Sequence, residues 1–414
     1  MFPASSTSAL LQAVSLASRN LRRQRRRALL ALLIIGGGVV TFLLAGGFIN
    51  WLLVNMREAT IHSQLGHVQI IRPGYFREGL GDPYRYLLPA DMTPVTQLAP
   101  AYQRTAAPRL AFNGLLSKDD STVSFIGEGI EPVLEAPIAK VVLIRHGKDL
   151  TESGPDSVLL GVGLARAVGA NTGDTVVLLA STAQGGINAV ELRVAGLFST
   201  STKAYDDSAL RVPIEVARRL MRVEGATSWV VLLDDTERTP EALANLRERL
   251  PEASFELVPW YDLADFYNKT VELFNRQVGI VRLLIALIVM LSISNTLAMA
   301  VMERTSEIGT TMALGLKRRQ VLTQFLLEGA LLGAAGGATG VIAGLGLGAA
   351  ISAVGIPMPP PPGMDVGFTG EIAVSAQLAL EGFVLAFVTT LLASVFPAWK
   401  ASRLVIVDAL RHQR

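Results

Sequence analysis

The sequence predicts an α-helical membrane protein with four transmembrane helices and a large α+β extracytoplasmic domain inserted between helices 1 and 2. Three observations carry this expectation. Four apolar runs are each long enough to cross a hydrocarbon core of about 30 Å, which takes about 20 helical residues. Lys and Arg crowd into segments that all fall on one side if those runs alternate across a membrane. A polar stretch with strand-like segments separates the first run from the second. Bulk composition agrees: 50% of residues are hydrophobic, 17% are charged, and the mean hydropathy is +0.41. That is too apolar for an ordinary soluble chain, but not apolar throughout.

Residues 1–27 are expected to form a cytoplasmic amphipathic helix, in which Leu10–Leu21 precede the basic run Arg22–Arg27. With a membrane span directly behind it, such a run suits the anionic lipids of the inner leaflet and not nucleic acid. The first span, 28–54, carries no charge and exceeds the apolar core of about 7–15 residues typical of a cleaved signal, so it is expected to remain. Residues 55–277 form the extracytoplasmic domain and 278–302 the second span. A charged connector, 303–320, leads to the third span, 321–353. A short external loop, 354–371, has no Lys or Arg, and the fourth span, 372–399, precedes a basic tail, 400–414. Basic residues at Arg19–Arg27, Arg304–Arg319 and Lys400–Arg414 place both termini and the connector in the cytoplasm.

Within the domain, Val68–Arg72, Thr122–Ile126, Lys140–Arg145, Thr175–Leu179, Val190–Ala195 and Trp229–Leu233 read as strands. Ser157–Gly169 reads as a strand running into a helix, and Thr239–Leu250 as an amphipathic helix with a Thr-Pro-Glu start. Short strands interspersed with helices suggest a mixed, two-lobed domain. Met56–Gln64 and Asp262–Arg282 have helical composition without a proline break, and either extend the spans outward as a stalk or are plain juxtamembrane ends.

Catalytic signatures are missing. The sequence contains no GxxxxGK[ST], HExxH or GxSxG motif, and no cysteine. His62, His67, His146 and His412 lack metal-ligand spacing, so no metal site is expected. The domain is expected to bind or transmit, not to catalyse.

The membrane segments do carry informative patterns. Gly336, Gly340, Gly344 and Gly348 repeat every four residues, beside a ridge of Gly329, Gly333 and Gly337. Small residues at this spacing allow close helix approach in lipid. Their partner is either a span of the same chain or a second subunit. Three ionisable residues fall inside or at the ends of spans, Arg282, Glu328 and Glu381, where facing lipid is costly. Arg282 and Glu381 fall at a similar outer depth and are expected to pair. Glu328 is expected to meet a loop or polar backbone near the cytoplasmic face. The connector Glu303–Arg319 is read as one charged helix held against the membrane, a place for a partner to dock.

Asn295-Thr-Leu-Ala-Met-Ala-Val-Met-Glu-Arg-Thr-Ser-Glu-Ile-Gly309, followed by Ala313-Leu-Gly315 and Arg318-Arg-Gln-Val321, resembles the signature of FtsX-like ABC permeases. That superfamily includes the MacB exporters and the lipoprotein-releasing permeases. Phe396-Pro-Ala-Trp-Lys-Ala-Ser-Arg403 with Val407-Asp-Ala-Leu410 resembles its closing motif, with Ile406 where proline is common and Asp408 where glutamate is common. Leu65–Tyr75 is similar to the first external strand of the lipoprotein-releasing branch. The resemblance implies two permease copies or paralogues working with a cytoplasmic ABC ATPase dimer, which holds ATP and Mg while this chain binds no cofactor. It also implies that the connector is a coupling helix seated on the ATPase, with Glu303, Arg304, Glu307, Arg318 and Arg319 in polar contact, Ile308 and Leu314 packing, and Gly309, Ala313 and Gly315 allowing close approach. Mechanical transmission acting on lipoproteins, lipids or other envelope substrates follows from it. Efflux with a periplasmic adaptor, or regulation of a cell-wall hydrolase, are the alternatives the same resemblance allows.

Overall fold

In the computed structural model the described residues are 15, 17, 19, 20, 23, 25–79, 81–102, 105–200, 202–359 and 367–405. Most of the expected N-terminal helix, part of the Pro357–Pro362 turn, Val407–Leu410 of the closing motif and His412 lie outside them. The chain divides into two compact units. One combines the segment up to Leu53 with Val271–Met358 and the chain from Thr369; the other is built mainly from Val54–Thr270.

The first unit is helical. Helices α1 (Arg25–Thr60), α5 (Asp265–Glu303), α7 (Arg318–Val354) and α8 (Ala376–Ser402) are each long and apolar enough to cross a membrane. Their apolar residues surround the axis on all sides instead of forming one stripe, as expected of a helix solvated by lipid. Helix ends follow local chemistry. The side chain of Gln320 accepts from the Lys317 amide at the start of α7, and Ser375 Oγ accepts from the Leu378 amide at the start of α8. The fourth span therefore begins later than the expected residue 372, because Ile372 and Ala373 are tied down in extended form by Ser352 Oγ and the Gly47 carbonyl. Ala31, Ile35, Val39, Phe42 and Leu43 of α1 form its core with Val289, Ile293 and Leu297 of α5, Leu332 of α7, and Ala386 and Ala393 of α8.

The second unit is built on ten strands: β1 (Val68–Ile71), β2 (Ala106–Lys118), β3 (Ser121–Ile130), β4 (Leu143–Gly147), β5 (Ser157–Gly161), β6 (Thr175–Ser181), β7 (Ile187–Ser199), β8 (Ala209–Pro213), β9 (Ser228–Val231) and β10 (Glu256–Pro259). They pair in the order β10-β1-β9-β2-β3-β8-β5-β7-β4, with β6 joining β2 and β7. The two lobes expected from the sequence are thus not separated by any break in hydrogen bonding. The long antiparallel hairpin β2–β3, paired from Arg109↔Ile130 to Lys118↔Ser121, runs through the middle. Helices α2 (Val162–Val168), α3 (Ile214–Met221) and α4 (Thr239–Arg249) carry apolar faces, and Leu164, Leu220 and Leu246 join Leu110, Leu210, Val212 and the fully buried Trp229 in the core.

Helix α1 does not stop cleanly. It passes into a π-turn, Ile61–Leu65, and ends at Gly66 with φ +63°. A Cβ at that position would lie 2.2 Å from Val230 Cγ1, so glycine is required both by conformation and by space.

Candidate functional site

The connector is shorter than the sequence suggests. Helix α5 ends at Glu303, Arg304 leaves helical geometry (φ −104°, ψ 12°), and a separate helix α6 spans Thr305–Ala313. Gly315, at φ +104°, then reverses the chain, with the Gly315 and Leu316 amides donating to Met312 and Thr311 carbonyls. A glycine with positive φ just past a helix end is a standard stop, which is why Glu303–Arg319 is not one continuous helix.

Its two faces differ sharply. Ile308 (6% exposed), the buried Gly309 and Met312 turn inward, and the two side chains pack with Val301, Val321, Phe325, Ala398 and Ala401. Ile308 and Gly309 were expected against a partner; they belong instead to this chain's own core. Ala313, Leu314, Gly315, Arg318 and Arg319 are exposed, and Leu314 is 84% exposed.

The charges also have partners within the chain. Arg27 grips Glu303 through both guanidinium nitrogens, and Arg23 lies 3.4 Å from Glu307. Arg304 reaches Glu328 at 3.3 Å and Glu307 at 3.4 Å, with its guanidinium over the Phe325 ring. Asn20 donates to Glu328 at 2.7 Å. Glu328 is buried, so Arg304 and Asn20 are what make an acid tolerable there. The Arg23–Glu307 pair is largely exposed and adds little. Glu303, Arg304 and Glu307, expected to face a partner, thus have ion-pair partners within the chain, although the Glu303 and Glu307 side chains stay about half exposed beside the exposed turn from Ala313 to Arg319.

The glycine stripe resolves to packing within the chain. A Cβ on Gly336 would meet Ile35, on Gly340 it would meet Val39 and Gly36, and on Gly344 it would meet Leu43, all in α1; Gly348 faces Ile372. On the adjacent ridge, Gly329, Gly333 and Gly337 face Ser394, Thr390 and Phe383 of α8. Helix α7 is therefore wedged between α1 and α8, and these glycines serve packing within the chain. Arg282 and Glu381 meet at 2.5 Å, as expected; Gln377 also donates to Glu381, and Arg282 lies over the Phe42 ring.

A second charged cluster, not singled out from the sequence, lies in the sheet domain around the π-turn. Arg109 of β2 and Arg211 of β8 are 5% and 1% exposed. Arg211 Nη2 donates to the Ser63 carbonyl at 2.8 Å, and Arg109 Nη1 donates to the Gln64 carbonyl. Arg109 also forks onto buried Glu135 (3.1 and 2.5 Å), and Arg211 Nε donates to Glu128 at 3.2 Å. The signal that could have found them is a lone arginine inside a short apolar strand, as in Pro108-Arg-Leu-Ala111 and Ala209-Leu-Arg-Val212. Nearby, the Leu233 amide donates to His67 Nδ1, fixing the neutral tautomer whose Nε2 donates to Thr236 Oγ1; that hydroxyl donates in turn to Glu58. Burial, with the His62 charge beside it, pushes His67 down to about 4. The π-turn brings His62 and His67 edge to face at 6.0 Å despite their spacing, yet among the described residues no His, Asp and Glu cluster could hold a metal.

Two family models match the chain. A family model for the FtsX-like permease C-terminal region matches residues 279–406, and one for the MacB-like periplasmic core domain matches residues 28–249. The uncharacterized ABC transporter permease YvrN of Bacillus subtilis is 30% identical over 244 residues, covering 55% of this chain and 56% of that protein. The lipoprotein-releasing system transmembrane protein LolC of Neisseria meningitidis is 29% identical over 288 residues, covering 63% and 66%. The macrolide export ATP-binding/permease protein MacB of Brucella abortus is 34% identical over 180 residues, covering 43% and 25%. The matched region thus spans from 25% to 66% of the length of these three relatives. Among solved structures, the extracellular domain of the transporter YknZ aligns with a TM-score of 0.34 at 10% identity, covering 47% of this chain and 100% of that domain.

Proposed function

Since this chain belongs to the FtsX-like, MacB-type family of ABC transporter permeases, we propose that it couples ATP hydrolysis by a separate cytoplasmic ATPase pair to movement of its extracytoplasmic sheet domain. On this reading it sits in the inner membrane with both termini cytoplasmic and pairs with a second copy or a paralogue. It acts on lipoproteins, lipids or other envelope substrates. ATP and Mg are held by the ATPase, in keeping with the lack of a phosphate-binding GxxxxGK[ST] in this chain.

The observation that carries the reading is the exposed turn at the end of α6. Leu314 is a large apolar side chain left 84% exposed on a short, glycine-closed connector, with Arg318 and Arg319 beside it. A protruding apolar residue followed in the chain by exposed arginines has the character of an interface anchor. The glutamates of the connector, in contrast, face Arg23 and Arg27 of the same chain. Docking therefore centres on Leu314, not on Glu303 and Glu307.

The test is copurification of the full chain with its ATPase, comparing wild type with Leu314→Glu plus Arg318→Glu. Loss of the complex, with the melting temperature of the permease unchanged, is the expected result. Retention of the ATPase by the double variant overturns the assignment of this turn as the coupling site.

A further inference from the structure

We propose that Arg109 and Arg211 form a two-armed clamp that fixes the end of helix α1 to strands β2 and β8, so that motion of that helix is passed to the sheet instead of being lost by sliding. The inference rests on the mechanical reading above, and supplies the residues through which the sheet domain would be moved.

The placement is specific. The last carbonyls of a helix have no partner within it and carry its partial negative charge. Here two consecutive carbonyls, Ser63 and Gln64, are each taken by a different guanidinium. The arginines come from strands on either side of β3, and Glu128 of β3 lies between them, in register with Arg211. Glu135, 1% exposed, anchors the second arginine. Two strands thus hold one helix end through charge-assisted, directional bonds, bridged by an acid on the strand between.

Stability alone gives little reason to keep such a cluster. Buried ion pairs can often be replaced by apolar residues without loss, because desolvation offsets most of their attraction. What they supply, and apolar packing does not, is a fixed direction and position. The cluster also holds its charge. Burial acts to lower Arg211, but Tyr205, Glu128 and Glu135 beside it outweigh that and raise it. Burial likewise acts to raise Glu128, yet the Arg109 and Arg211 guanidiniums hold it below the usual carboxylate range. Gly66, which follows the clamped carbonyls with positive φ, would otherwise leave this joint pliable.

The absence of cysteine allows the joint to be measured directly. Spin labels at Val54→Cys on α1 and Ser121→Cys on the β2–β3 hairpin, in the full chain in lipid nanodiscs without ATPase, report its distance distribution. With Arg211→Met plus Glu128→Leu, which removes one arm and its counter-charge together, the distribution is expected to widen at least twofold. Arg211→Lys keeps the charge but loses the fork, and is expected to widen it as well should the double variant fail to fold. Lys118→Met plus Asp174→Asn, an ion pair 2.6 Å long elsewhere in the sheet, is expected to leave the width unchanged. An unchanged width in a folded arginine variant, or equal widening in the Lys118 control, overturns the clamp. Because no ATPase is present, the result is independent of whether the connector docks one.

Discussion

Gly340 offers a sharp test of how closely the membrane helices approach. A Cβ there would lie 2.7 Å from Val39 Cβ and 2.9 Å from both Cα and the carbonyl oxygen of Gly36. Carbon atoms settle at about 3.5–4.0 Å, and two of the three obstacles are backbone, which cannot rotate away. Gly340→Ala must therefore push α7 from α1 by most of an ångström along the seam that also holds Ile35 and Leu43. Overpacking of this kind costs about 1–3 kcal/mol. A methyl added at Gly346, on the same helix, would meet no atom within 4 Å, and alanine there gains helix preference worth up to about 1 kcal/mol. Thermal unfolding of the purified protein in nanodiscs, followed by tryptophan fluorescence, is expected to give a lower midpoint for Gly340→Ala than for wild type. Gly346→Ala is expected to melt at or above it. Two variants melting together would mean that the α1–α7 seam is not close-packed, and would refute the reasoning.

Two further outcomes follow from the charged groups. Neutralising Arg282 or Glu381 alone leaves the other without its partner at 2.5 Å, so each single variant is expected to lower the yield of assembled protein, and Arg282→Glu with Glu381→Arg to restore it; swapped protein no better than the single variants would discard the pair as a structural contact. For His67, the folded protein favours the neutral ring, with a value near 4 against 6.5 for the unfolded chain. Its contribution to stability is fully present above pH 6.5 and lost as the pH falls through 4, up to about 3 kcal/mol. The unfolding midpoint is expected to fall over that window in wild type and to fall less in His67→Gln; identical pH profiles would exclude the histidine as the cause.

The four long helices were legible because long apolar runs, each with at most one ionisable residue, have few outcomes other than a span. The Arg282–Glu381 contact was legible because lone opposite charges at similar depth have few alternatives. Other features needed three dimensions. Strand β2 carries Pro108, Asn113 and Gly114, so its sequence reads as a loop although Leu110, Phe112 and Leu116 are buried. Strands β8 and β10 are short, and only their neighbours define them. The glycine spacing announced close packing without naming the partner, since spacing is a property of one helix. The connector was misjudged for a different reason: charge composition says nothing about direction, whereas Gly315 already marked where the helix must stop. Arg109 and Arg211 look, residue by residue, like any arginine in a strand, and only the convergence of distant segments gives them a common target.

The unbroken lengths of α1 and α5 set a geometric scale. At 1.5 Å per residue, the 36 residues of α1 make a rod about 54 Å long, and the 39 of α5 one of about 58 Å. The hydrocarbon core takes only about 30 Å of either. A rod of 54 Å pivoting by about 10° at one end sweeps its other end through roughly 9 Å, several times the shift that a packed helix interface undergoes by sliding alone. In such a lever amplitude comes from length, and the joint at the far end needs only to be stiff. A small rotation of so long a helix is thus a large displacement at its tip.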